Sequence, residues 1–507
     1  MTRLPARSVV LLLLLTWTLL GAARATAAEE KAAASPPPEE RQSVTHHTLS
    51  LGSSKITYTA TAGTYLLRDE EGKAKASVFF VAYTLDGEGD AGRRPVTFAF
   101  NGGPGAAAVW LHLGAFGPKR VDMSEEGMPL PPPGRLVDND LTLLPETDLV
   151  FIDPVSTGFS RPVNGEDGSQ FHGVQQDVEA VGEFIRHWLA RNGRFSSPKY
   201  LAGESYGTAR AAALSLYLQE RFGIYPNGLI LISVVLNWQN QELSYGNDIP
   251  YLIYLPTYTA TAHYHGKLPS ELSKDLGATL AEVERFALGD YALALLAGNR
   301  LSPERRKEIA ARVARYTGLD PTYVEASDLR IRDDRFRNEL LREKGRMVGR
   351  LDGRFLGWDR DAVGESQEYD PAMEAVMIGY VDLLNDYLRR DLGYSSDAVY
   401  EFLSPKVRPW SFDGWENRFV NVGEHLRQAM VRNPSLKVLA ATGYYDFATP
   451  YFDAYQTFAT LGLPPALTGN VEIVPFESGH MMYIRRIDHI KLTEAIRRLF
   501  KSRPGYP

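Results

Sequence analysis

A serine hydroxyl becomes a useful nucleophile only when a base takes its proton and a third group holds that base in place. The residues able to do this stand far apart in the sequence. Gly203-Glu204-Ser205-Tyr206-Gly207 fits the pattern G-x-S-x-G, a sharp turn that pushes a serine hydroxyl out at the carboxyl edge of a sheet. Glycines on both sides allow the close approach of neighbouring backbone that such a turn demands. In this arrangement the acid and then the histidine follow the serine along the chain. Of the 10 histidines, His480 and His489 come after the candidate acids. His480, in Glu477-Ser478-Gly479-His480-Met481, falls just beyond an apolar run, where a loop at the sheet edge can aim it at Ser205; His489 reads as a solvated helical residue. Asp446 ends Thr442-Gly443-Tyr444-Tyr445-Asp446 at the carboxyl end of another apolar run, where it can hold the imidazole tautomer and stabilise its cation. Asp453, the rival, reads as a surface acid within the next helix. The tetrahedral oxyanion needs fixed donors. Asn101-Gly102-Gly103-Pro104-Gly105 supplies a glycine-rich loop for them, with the N–H of Gly103 as one donor and that of Tyr206 as the other.

Positioning these groups requires strands that end where they stand. The runs Val96 to Phe100, Asp148 to Ile152, Tyr200 to Ala202, Leu229 to Val235, Leu436 to Ala441 and Val471 to Pro475 read as buried strands. Helical spacing separates several of them, at Val174 to Leu189, Ala209 to Tyr217, Tyr451 to Leu461 and Asp488 to Phe500. Strands alternating with helices predict a mostly parallel central sheet covered by helices on both faces. With the serine turn, that makes the fold class α/β, of the α/β-hydrolase type. The stretch Val44 to Phe100 adds β-structure ahead of the alternation. From 239 to 430 the rhythm breaks into charged, helical patterns at Leu280 to Leu295, Pro303 to Tyr316, Arg335 to Val348 and Pro371 to Leu388. The expected organisation is a hydrolase domain in two parts, 44–238 and 431–507, interrupted by a large helical cap insertion over 239–430.

Composition narrows the function class. Basic Arg3 and Arg7, the apolar stretch Val9 to Leu20 and small residues around Ala25-Thr26-Ala27 have the order of a secretory signal peptide over 1–27. Its removal takes away Arg3, Arg7 and Arg24 and no acid, moving the formal charge from −7 to −10. A mildly acidic mature chain argues against nucleic-acid binding. The Ala-, Pro- and Glu-rich stretch over 28–43 reads as a linker. With no cysteine, disulfides and thiolate metal sites are excluded, and export fits a bacterial periplasm or exterior. No metal or cofactor motif is present, His263-Tyr264-His265 reading as loop surface.

Four separated segments resemble the serine carboxypeptidases, acid carboxypeptidases of the α/β-hydrolase fold with bacterial relatives. They are Asn101 to Gly105 with Gly117-Pro118, Asp153 to Ser160, Gly203 to Tyr206, and Asp446 with Gly479-His480-Met481. The resemblance implies release of C-terminal residues from peptides with a free C-terminus, through an acyl-enzyme on Ser205. It also implies that Asn101, Gly102 and Glu204 hold the substrate's terminal carboxylate. A glutamate doing so must share a proton with its ligand, because like charges repel. This sequence departs from the family at Ala115, where a second acid is usual, at Ala99 in place of a tryptophan, and at Ala106-Ala107-Ala108 in place of Cys-Ser-Ser. The missing acid predicts a pH optimum higher than the family's. Two alternatives use the same scaffold: an esterase or acyltransferase with the same triad, and a non-catalytic binding module.

Overall fold

A computed structural model describes residues 39–87 and 91–502 of the chain. The signal peptide read over 1–27 lies outside the described residues. Nine strands form the body of a mixed sheet: β1 (Gln42–Leu51), β2 (Ser54–Arg68), β3 (Ala74–Leu85), β4 (Val96–Phe100), β5 (Asp148–Ile152), β6 (Lys199–Glu204), β7 (Gly228–Ile232), β8 (Lys437–Gly443) and β9 (Val471–Phe476). Their spatial order is β1-β2-β3-β5-β4-β6-β7-β8-β9, with the two-residue strand Arg161–Pro162 paired to β3. Every pairing from β5 to β9 is parallel, and the pairings among β1, β2, β3 and β5 are antiparallel.

The apolar runs read as buried strands are buried because both sheet faces are covered. Side chains alternate between two cores as the period of two requires. On β4, Val96, Phe98 and Phe100 enter one core and Ala99 the other; on β7, Leu229 and Leu231 oppose Ile230 and Ile232. The first core is closed by α1 (Val174–Arg191), α2 (Tyr206–Phe222) and a later helix, Gly423–Arg432. The second is closed by the final helix, Arg486–Lys501, and by Pro371–Met377 and Tyr380–Arg390.

One boundary differs from the sequence reading. The linker read over 28–43 gives way to structure before its end. Arg41 accepts from the Thr64 N–H at 2.8 Å, Glu40 accepts from the Leu66 N–H at 2.9 Å and pairs with Arg191 at 2.6 Å, and β1 is under way at Gln42. The helices of the stretch 239–430, expected as a cap insertion, pack in three places. Helices Ile249–Tyr264, Leu276–Phe286 and Pro303–Thr317 share a core of their own, around Val283, Ile309 and Val313. Leu426, Ala429 and Met430 instead pack in the first sheet core, and Tyr380, Leu384 and Tyr387 in the second. Three helices expected within the stretch are also shorter. The run to Leu295 breaks at Gly289, and Gly379, at φ 84°, separates Pro371–Met377 from Tyr380–Arg390. From Arg335 onward the α-helix Asp333–Glu339 soon ends, Arg342–Lys344 is a single 3-10 turn, and Met347–Val348 pairs as a strand. Glycine in these positions removes the helical continuity that the apolar spacing alone implies.

Candidate active site

The order of β5, β4 and β6 makes a topological switch at β4, whose neighbours are β5 on one side and β6 on the other. Ligand crevices form at the carboxyl ends of strands at such a point. The glycine loop follows β4 and the serine turn follows β6, so the two meet. Ser205 sits between β6 and α2 at φ 59°, ψ −128°, backbone in a sparsely populated region that functional turns store. Backbone packs directly on backbone around it. A Cβ on Gly102 would lie 2.5 Å from the Tyr206 nitrogen, and one on Gly203 would lie 2.0 Å from the Gly207 oxygen. These glycines are therefore required by contact, and the contact brings the loop against the N–H of Tyr206. That N–H is the first of α2 and has no acceptor within its helix. It and the Gly103 backbone border one cavity of about 560 Å³, which Ser205 and His480 also line.

The histidine loop is fixed in the same manner. A Cβ on Gly479 would meet the Leu351 oxygen at 2.4 Å, and one on Gly443 would meet the Gly479 oxygen at 2.1 Å. The His480 N–H donates to Leu351 at 2.7 Å, and Ser233 Oγ donates to the His480 carbonyl at 2.6 Å. Its Nδ1 lies 2.7 Å from Asp446 Oδ2. Asp446 is fully buried, and its oxygens also accept from the N–H groups of Ala448 at 2.8 Å and Thr449 at 3.0 Å and from the Thr449 hydroxyl at 2.7 Å. A carboxylate so held can only receive the Nδ1 proton, leaving Nε2 as the free lone pair a general base needs. Burial opposes a charge on the His480 ring. The Asp446 carboxylate, by its charge and its hydrogen bond, together with the Glu204 charge, outweighs burial and holds the imidazole pKa above its ordinary value.

Glu204 precedes the serine and is 2% exposed. Its Oε1 accepts from Asn101 Nδ2 at 2.8 Å and its Oε2 from the Tyr483 hydroxyl at 2.6 Å. Asn101 Oδ1 accepts in turn from the Leu111 N–H at 3.1 Å. Burial pushes the Glu204 carboxyl up to about 7, against the His480 charge and those two hydrogen bonds, with the Asp446 charge adding to the rise. Tyr483 is the residue the motifs do not point to. Ala115 is buried and offers only its carbonyl, to Asn139 and His489. Beside it, Gly114 leaves room for the Tyr483 ring, whose Cε2 would lie 2.6 Å from a Cβ there. A tyrosine three positions after the candidate base carries no local signature of reaching back to Glu204.

A second missed pair supports the loop from behind. Arg210 on α2, 1% exposed, donates to Asp177 of α1 at 2.7 Å and to the Asn101 carbonyl at 2.7 Å. Asp177 falls between Val174 and Val178 on the apolar stripe of α1, and an acid on a buried stripe is a readable sign of a buried partner. Three expectations are corrected. Asp453 is not a surface acid: it is buried, bonded by Asn240, Gln241 and Thr457, and pushed up to about 6 by burial against those bonds. His489 is not solvated: it is buried, its Nε2 lies 2.9 Å from the Ala115 carbonyl, and burial lowers its pKa to about 4. His263, likewise, stands in the helix Ile249–Tyr264 and not in a loop.

A larger cavity of about 820 Å³, bordered by Trp415 and His425, contains none of the residues singled out by their chemistry. Among the described residues there is no cluster of three or more metal-ligating side chains, and no helix is long and apolar enough to cross a membrane.

Comparison with known proteins fits this geometry. No curated protein matches the chain in sequence. Among solved structures, a prohormone-processing carboxypeptidase of Saccharomyces cerevisiae is similar, with a TM-score of 0.51 and 14% identity over 87% of this chain and 91% of its own. A haloalkane dehalogenase variant from Bradyrhizobium elkanii aligns at a TM-score of 0.31 and 12% identity, over 90% and 98% of the two chains. Juvenile hormone epoxide hydrolase from Bombyx mori aligns at 0.32 and 12%, over 88% and 79%. The likeness to the yeast carboxypeptidase is one of fold. Residues 56–223 match the family model described as serine carboxypeptidase, a span that includes the glycine loop and the serine turn but neither Asp446 nor His480. Over residues 56–223, then, the chain is similar to the serine carboxypeptidase family.

Proposed function

We propose that the protein is a serine carboxypeptidase that releases residues from free peptide C-termini. Ser205 Oγ attacks the carbonyl carbon of the last peptide bond while His480 Nε2 takes its proton. The N–H groups of Gly103 and Tyr206 stabilise the oxyanion. Collapse breaks the C–N bond, the leaving amine takes the proton from His480, and the acyl group remains as an ester on Ser205. Water, deprotonated by His480, then attacks that ester; its C–O bond breaks, Ser205 Oγ takes the proton back from His480, and the shortened peptide leaves as the acid. Asp446 holds the imidazole throughout and stabilises its cation.

The observation that carries the exopeptidase reading is Glu204. A buried carboxyl with a pKa near 7, bonded by Asn101 and Tyr483 and lining the cavity of Ser205, is suited to share one proton with a substrate carboxylate. Asn101 and Gly102 complete that end of the cavity. The test is digestion of matched peptides with free and amidated C-termini. Selective release from the free peptide is expected; equal cleavage of both, or cuts only inside the chain, refutes the reading. Ester turnover without any peptide release would favour the esterase alternative. We infer export to the periplasm or exterior from residues 1–27, to be checked by the N-terminus of the mature protein.

A further inference from the structure

The walls of the catalytic cavity carry two cations and one acid besides the histidine: Arg350, Arg408 and Glu204. Glu204 is already bonded on both oxygens. Neither guanidinium has a carboxylate, carbonyl or aromatic partner among the described residues, and both side chains are exposed. This is not for want of acids, since the chain has 62 acidic residues against 55 basic ones. Three acids on the segments that carry these arginines or bond to them are committed elsewhere. Asp370 accepts from the backbone N–H groups of Arg350 and Leu351, Asp352 pairs with Arg354 at 2.6 Å, and Glu401 pairs with Lys406 at 2.5 Å.

The two arginines stand on different walls. Arg350 adjoins Leu351, whose carbonyl takes the His480 N–H, and its charge opposes protonation of His480. Arg408 belongs to the strap Leu403 to Arg408, which is bound to the oxyanion loop where the Ser404 N–H donates to Gly105 at 2.8 Å. Ser205 lines the same cavity. Two unpaired arginines lining one cavity attract anions and offer forked donors that match a carboxylate.

We propose that this cavity selects peptides with a glutamate or aspartate side chain at one of the two residues flanking the scissile bond, bound by Arg350 and Arg408. The proposal rests on the carboxypeptidase reading and deepens it. The terminal carboxylate goes to Glu204, Asn101 and Gly102; the acidic side chain goes to the arginines.

The test uses the full chain and a peptide series of constant body. The C-terminal residue in one arm, and the penultimate residue in the other, is Glu, Gln, Leu or Lys. At low salt, kcat/KM is expected to favour Glu over Lys by roughly 10- to 100-fold in one arm. Added sodium chloride should erode the preference, Arg350→Gln and Arg408→Gln should each reduce it, and Arg350→Glu with Arg408→Glu should invert it toward Lys. The decisive readout is the Glu-to-Lys ratio, because any effect of Arg350 on the His480 pKa acts on all peptides alike. Fluorophosphonate labelling of Ser205 verifies that each variant is folded. Equal rates for all four residues in both arms overturn the proposal while leaving the carboxypeptidase reading intact. If no peptide is cleaved, that reading fails. The preference is then decided by calorimetric binding of the same peptides to Ser205→Ala, where equal affinity for Glu and Lys peptides overturns it.

Discussion

Replacing Glu204 by glutamine isolates the proton that the proposed clamp depends on. Glutamine keeps the shape and can still accept from Asn101, while its amide permanently donates what the neutral carboxyl donates only when protonated. With the Glu204 pKa near 7, the native enzyme at pH 9 retains roughly 1% of this group in its neutral form. The alkaline limb of kcat/KM on free-C-terminal peptides should therefore fall about 100-fold from its plateau to pH 9, and Glu204→Gln should abolish that fall. The acid limb should also extend downward, because the Glu204 charge supports the His480 cation and its loss lowers the histidine pKa. Stability provides a second readout. The native pKa stands above the reference 4.5, so between those values the folded chain holds a proton that the unfolded chain has released. Stability is then lost as pH rises through this window, by about 3 kcal/mol above both values, and the glutamine variant should recover it. The assays are pH profiles of kcat/KM on free and amidated peptides and thermal unfolding from pH 4 to pH 9. A glutamine variant with an unchanged alkaline limb and unchanged stability at neutral pH would refute the reasoning.

Asp446→Asn should leave the Ala448 and Thr449 contacts in place but remove the charge that sets the His480 tautomer, lowering kcat by about 10⁴ with KM little changed in steady-state assays. Tyr483→Phe removes a hydrogen bond that lowers the Glu204 pKa, so the alkaline limb should move to higher pH. KM for free-C-terminal peptides should rise roughly 3- to 10-fold, with the rate on a simple ester unaffected. Asp177→Ala strands the buried Arg210 cation and should cost about 3–5 kcal/mol in denaturant unfolding, whereas a paired exchange of Asp177 and Arg210 for apolar residues should recover much of it.

The central strands were legible because full burial on both faces writes itself as uninterrupted apolar runs, and the observed β4 and β5 coincide with those runs end to end. The serine turn, the glycine loop and the acid and histidine loops were legible because each follows such a run. What could not be read depends on side chains that meet only in the folded chain. Tyr483 and Glu204 are 279 positions apart, and Asp453 is buried by Asn240 and Gln241 from the far side of the insertion. The helix Ile249–Tyr264 escaped notice because its apolar residues are spread around it and Pro256 lies inside, so no single face declares itself.

The backbone bonds that join the cavity's walls to its chemistry set a limit on what the enzyme can become. Leu351 accepts from the base's own N–H, while Phe402 and Ser404 are laced to Ala107 and Gly105. The roof and the reacting centre are consequently one mechanical unit. Widening the entrance for a bulkier substrate by lifting either wall would disturb the histidine or the oxyanion donors in the same motion. Accommodation of new substrates is thus open to exchange of the side chains at Arg350, Met373, Leu403 and Arg408, and closed to rearrangement of the main chain that carries them.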